Sequence, residues 1–143
     1  MRKPVILWFY GESKTGKTSL IVKIIKELNK EGYKIAAIKI TDKKMGMDTK
    51  GKDTWNYNKA GSKLTILSSP IETDFVIKRN MDIEGILKQI NNFDNYDFVF
   101  IEGIHDEKTK KIRLGDIKER KNTILSYKGD FDSLIKFIKK ERM

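Results

Sequence analysis

"GESKTGKTSL", residues 11–20, follows the apolar run Val5-Ile6-Leu7-Trp8-Phe9 almost directly and leads into a stretch with helical spacing. A turn needs two residues; this chain spends eight, Gly11 to Thr18. Gly11 and Gly16 permit backbone angles that other residues resist. A loop built this way turns successive N–H groups inward as an anion nest. The helix behind it aims the positive end of its dipole at the same point. The length of the loop is what wrapping a phosphate requires.

The spacing Gly11-Glu12-Ser13-Lys14-Thr15-Gly16-Lys17-Thr18 is that of the P-loop, G-x-x-x-x-G-K-[ST], with Ser19 completing the nucleotide-binding set. Lys17 can reach the β- and γ-phosphates, and the Thr18 hydroxyl can bind Mg²⁺. Lys14 is either a further contact or a solvated loop residue. By pattern alone a chance match is not rare. The buried strand before and the amphipathic helix after supply the context the motif needs.

Working outward, residues 5–10 read as a strand buried on both faces. Residues 17–31 carry Leu20, Ile21, Ile24, Ile25 and Leu28 at helical spacing, with Gly32 as the stop. "YKIAAIKI", 33–40, is a second buried strand, so a right-handed parallel β–α–β unit is expected. Residues 41–53 form a long polar loop. A short helix is expected over 53–60, capped by Asp53 or Thr54 and ended by Gly61. "KLTILSS" (63–69) is a strand ended by Pro70, and "DFVIK" (74–78) a shorter edge strand. A helix follows over 82–90, then the buried strand "DFVFIEG" (97–103), strand candidates "KKIRLG" and "NTILSY", and a last helix from Asp130. This alternation implies an α/β fold: a P-loop NTPase-like, mostly parallel sheet flanked by helices in three layers. One nucleotide-binding domain over 1–143 is expected at this length.

Composition narrows the chemistry. There are no cysteines, which excludes disulfides, thiolate metal sites and cysteine nucleophiles. The single histidine, His105, cannot make a zinc site without other strong ligands. The formal net charge of +10 attracts anions. The lysines are spread along the chain and no nucleic-acid module is present, so the charge reads as a solvated surface and nucleic acid is not the expected partner. The first strand is too short to span a membrane and no signal-peptide pattern precedes it, which points to a cytoplasmic protein.

Glu102 ends an apolar strand, and in parallel sheets ligands sit beyond the carboxyl ends of the strands. It should face the crevice of Lys17 and hold Mg²⁺ through water or orient an attacking water. The alternative is a solvated strand-end carboxylate. Asp48 and Asp53 lie in the long loop. Asp48 is a candidate magnesium ligand; Asp53 is either a catalytic carboxylate or only a helix cap. Asp130, in "ILSYKGDF", resembles the aspartate of the asparagine-lysine-x-aspartate pattern of GTPases, with Tyr127 in place of the asparagine. It reads guanine through N1–H and N2–H, or it caps the last helix.

Together these residues resemble the MobB family of molybdopterin-guanine dinucleotide biosynthesis adaptor proteins. The likeness covers most of the chain: the P-loop, "AAIKI", "MDTKGKDTWNYNKAGSKLTILSS", "YDFVFIEGI" and "KKIRL". Its specific parts are Gly51-Lys52-Asp53-Thr54, Ala60-Gly61-Ser62 and Glu102-Gly103. The resemblance implies a homodimer that binds GTP with Mg²⁺ and hydrolyses it weakly. It also implies partners: the guanylyltransferase of molybdenum cofactor biosynthesis and other cofactor-pathway proteins. Family members usually carry histidine where Ile40 stands, arginine at Asn56 and lysine at His105. The alternative function is a small P-loop kinase acting on a metabolite. A kinase needs cations around the transferred phosphoryl group, and Arg2, Arg79, Arg113, Arg120 and Arg142 form no clustered lid motif in the sequence.

Overall fold

A computed structural model describes residues 2–12, 16–103 and 106–143. In chain order the elements are β1 (Val5–Gly11), α1 (Lys17–Lys30), β2 (Ile35–Ile40), α2 (Asp53–Ala60), β3 (Leu64–Ser68), β4 (Thr73–Ile77), α3 (Ile83–Phe93), β5 (Phe98–Gly103), β6 (Lys111–Leu114), β7 (Thr123–Tyr127) and α4 (Phe131–Arg142). They gather into two compact units, Met1–Asp42 with Gln89–Met143, and Lys43–Lys88.

The first unit holds a five-stranded parallel sheet of order β2-β5-β1-β6-β7. It is the expected three-layer α/β architecture, a parallel sheet flanked by helices. β1 and β2 are parallel but are not neighbours, because β5 inserts between them. Alternation puts Leu7 and Phe9 of β1, Phe98 and Phe100 of β5, and Ile112 and Leu114 of β6 into one cluster. Leu20, Ile21, Ile24 and Leu28 of α1 and Leu134, Ile135 and Ile138 of α4 complete it. Both helices therefore bury the stripe that their 3.6-residue period creates. Phe9 meets Phe100 edge-on at 5.5 Å, a favoured aromatic arrangement. The opposite side chains, Trp8, Tyr10, Val99 and Ile101, are buried as well. Gly32, at φ 88°, ends α1 as its sequence position suggests.

The second unit corrects two expectations. β3 and β4 do not join the parallel sheet; they form a separate antiparallel hairpin. The reason is the short connection. Ser69 N–H donates to Glu72 O at 3.0 Å across a turn containing Pro70, and so short a link can only reverse the chain. The expected cap of α2 is also different. Lys52 is the N-cap residue, with no side-chain hydrogen bond, and Asp53 sits in the first turn. The Thr54 hydroxyl instead donates to Asp48 Oδ1 at 3.0 Å. Gly61, at φ 115°, ends the helix as predicted.

Lys111 is completely buried. Its ammonium donates to the carbonyls of Thr109 (2.9 Å) and Lys121 (3.0 Å) and lies 3.6 Å from Asp106. Burial alone would push the Asp106 carboxyl up; the Thr109 amide and hydroxyl, with Lys111, hold it below the usual carboxylate range. Just before β5, Asp97 accepts from Arg142 of α4 at 2.7 Å. There too burial opposes, and the Lys34 amide and Arg142 hold Asp97 low. Groups depressed in the folded state contribute stability above the unfolded carboxylate pKa of about 3.9, and lose it as pH falls through the folded value. Urea unfolding should therefore show stability declining only below about pH 4–5. A variant carrying Asp97→Asn and Asp106→Asn should be less stable at neutral pH and show a shallower acid decline. An equally steep decline would refute this assignment.

Candidate functional site

Every strand of the parallel sheet runs the same way, so the carboxyl ends of β1, β2 and β5 meet along one edge. There a cavity of about 310 Å³ opens, lined by Gly11, Lys17, Lys39, Thr41, Asp42, Glu102, Gly103 and Arg120, with Phe9, Tyr10 and Ile40.

The loop from β1 to α1 enters this cavity at both ends. Gly16 adopts a left-handed conformation, φ 83° and ψ 23°, as N-cap of α1, and no side chain caps the helix. No acidic residue stands in the first turn; Lys17 is there instead. A cation at the positive end of a helix is locally unfavourable. Its ammonium bends back to donate to Gly11 O at 2.8 Å, closing the loop on itself. Thr18 and Ser19 are exposed on the same first turn, and Glu12 is exposed beside Gly11. Ser13, Lys14 and Thr15 lie outside the described residues, as does His105.

Glu102 stands in register with Phe9 on β1 and Lys39 on β2. The sequence thus brings Lys17 and Glu102 to one cavity, as expected. Gly103 explains why glycine follows: its φ is 133°, and a Cβ there would lie 1.9 Å from Ile40 O. No other residue lets β5 pass β2 so closely.

The remaining candidates are not among the residues lining the cavity. Asp48, in the second unit, is half-buried and accepts from Thr54 Oγ1 and Asn58 Nδ2, both at 3.0 Å. Asn58 in turn accepts from Thr65 Oγ1 at 2.6 Å. Asp48 thus ties the long loop to α2 and β3. Asp53 is exposed in the first turn of α2. Asp130 is the N-cap of α4, accepting from the Ser133 amide at 3.1 Å and hydroxyl at 2.7 Å. Those two bonds, the hydroxyl's foremost, hold its carboxyl below the usual range. Asp130 is not among the residues lining the cavity. Among the described residues no three His, Asp or Glu side chains gather into a metal cluster. No helix among them is long and apolar enough to cross a membrane.

Sequence reasoning missed Lys39, Asp42 and Arg120. Lys39 and Asp42 carry a usable signal, since both flank the carboxyl end of a predicted strand. Arg120 carries none, because it lies in an irregular segment that only the tertiary fold returns to the cavity.

Fold and loop define a three-layer parallel α/β protein whose cavity opens at the turn from its first strand to its first helix. The model of the family Molybdopterin guanine dinucleotide synthesis protein B (MobB) matches residues 6–139. The chain belongs to the MobB family. A putative molybdopterin-guanine dinucleotide biosynthesis adapter protein of Methanocaldococcus jannaschii is 38% identical over 112 residues, 78% of this chain and 45% of that protein. The adapter protein of Escherichia coli K12 is 31% identical over 113 residues, 76% of this chain and 64% of its own length. Both matches span less than two thirds of the relative. Among solved structures, a molybdopterin-guanine biosynthesis protein B superposes with a TM-score of 0.71 at 22% identity, covering 96% of this chain and 99% of that one. Bacillus subtilis MobB gives 0.70 at 14% identity, over 95% and 96%. At these identities the likeness is one of fold.

The close approach at Gly103 makes a sharp prediction. Gly103→Ala should cost about 2 kcal/mol or more in urea unfolding, from strain and overpacking together. Gly46→Ala, where nothing lies within 4 Å of the new methyl, should stay within about 0.5 kcal/mol of the parent. Equal stability of the two variants would contradict the geometry.

Proposed function

We propose that this protein is a GTP-binding adaptor with weak GTPase activity, assisting attachment of the guanine nucleotide to molybdopterin in molybdenum or tungsten cofactor biosynthesis. Family membership and the names of the relatives support the pathway. The observation that carries nucleotide binding is the meeting of Lys17, the uncapped start of α1 and Glu102 at one cavity. A helix N-terminus without a side-chain cap offers its N–H groups to an anion. Magnesium needs only one or two protein oxygens, since phosphates and waters complete its octahedron. Thr18 and Glu102 are the residues that would supply them. Asp130 is the proposed guanine reader. Its carboxylate has about four acceptor positions, so the two bonds from Ser133 leave room for a base. The proposed partner is a guanylyltransferase of the same cytoplasmic pathway.

Lys17→Ala should lower GTP affinity in calorimetry, because each charge-assisted contact is worth roughly 1.5–3 kcal/mol. Undiminished affinity in the folded variant would overturn the phosphate site. Equal affinity of the parent protein for GTP and ATP would overturn the guanine assignment.

We also propose a homodimer. One face of the β3–β4 hairpin pairs Leu64 with Ile77 and Ile66 with Phe75, and all four are 42–52% exposed. A lone two-stranded hairpin is marginal in water, and contiguous exposed apolar surface marks an interaction site. Light scattering at micromolar concentration should give a dimer mass, and Ile66→Asp should shift it toward monomer. A monomeric parent would rule the dimer out.

A further inference from the structure

Of the segment between β6 and β7, residues 115–122, only Arg120 lines the cavity. Its backbone is pinned on both sides. The Arg120 amide donates to the Tyr10 hydroxyl at 2.9 Å. The Arg120 carbonyl accepts from Thr123 Oγ1 at 2.6 Å, and that oxygen is itself 2.6 Å from Tyr10 Oη. One residue on, the Lys121 carbonyl is held by the buried ammonium of Lys111. Burying a lysine is costly unless it is well paired, and this one is spent fixing the peptide next to Arg120. The guanidinium lies 4.6 Å from the centroid of the Tyr10 ring, which is 2% exposed and acts as its floor. Among the described residues, the half-buried Arg120 side chain donates no hydrogen bond within the chain. Its planar fork is left for a ligand in a cavity that also holds Lys17.

We infer that Arg120 is a nucleotide-phosphate ligand that grips the terminal phosphate of a nucleoside triphosphate from within the same chain. A guanidinium matches phosphate oxygens bidentately, which an ammonium cannot do. The fixed backbone and aromatic floor pre-orient it, so less order is lost on binding. The inference rests on the nucleotide-binding reading above and goes beyond it by assigning the group that distinguishes a triphosphate from a diphosphate.

The test is calorimetry of the full chain with GTP and with GDP, each with Mg²⁺, for the parent, Arg120→Gln and Arg120→Lys, beside thermal unfolding without nucleotide. Arg120→Gln should lower GTP affinity roughly tenfold to a hundredfold and leave GDP affinity nearly unchanged. Arg120→Lys should fall between. The GTP-to-GDP ratio is taken within one variant, so a loss of stability alone does not move it. An unchanged ratio in Arg120→Gln, with the parent still binding both nucleotides, would overturn this assignment only. A parent that binds neither nucleotide would overturn the proposed function and this inference with it.

Discussion

Parallel pairing of β1 with both β5 and β6 is the constraint on which the rest of the molecule depends. Phe9 is level with Glu102 on one side and Ile112 on the other, so three chain segments remote in sequence end at the same edge. A parallel sheet needs a crossover between neighbouring strands and cover on both faces. Those needs account for the continuous apolar runs and for the stripes of α1 and α4. The cavity results from this arrangement: it lies where the strands stop, lined there by Lys39 and Ile40 of β2 and Glu102 of β5.

Three positions violate local rules, two of them at that edge. Lys17 sits at the positive end of an uncapped helix, Gly103 occupies a conformation closed to other residues, and Lys111 is a buried charge. Each is unfavourable alone and is offset by a specific partner: Gly11 O, the bare passage past Ile40, and two carbonyls with Asp106. Such conflicts between local preference and global structure are expected at functional sites.

The second unit gives the stretch from Asp48 to Leu64 a structural meaning. Thr54 and Asn58 converge on Asp48, Gly61 ends α2, and the Ser62 hydroxyl donates to Leu64 O at 2.9 Å to begin the hairpin. Much of this stretch specifies a small folded element. That is why residues which read from sequence as magnesium or cap candidates are found holding a loop, a helix and a strand together.

Sequence alone determined what depends on near neighbours. The bounds of β1, α1 and α2 to within a residue, the start of α4, the helix stops at Gly32 and Gly61, and the motif carrying Lys17 follow from periodicity and from glycine's freedom at positive φ, which act within a few residues. Glu102 was legible too, because a carboxylate closing a buried run can only emerge at a strand end. Only the tertiary structure decided that β5 separates β1 from β2, that β3 and β4 form their own sheet, and that Arg120 returns to the cavity. Strand order and the path of an irregular segment are fixed by hydrogen bonds between residues far apart in the chain, such as Arg120 to Tyr10 across 110 positions. No local preference encodes such a pairing; it follows from which buried faces and backbone groups can be satisfied together.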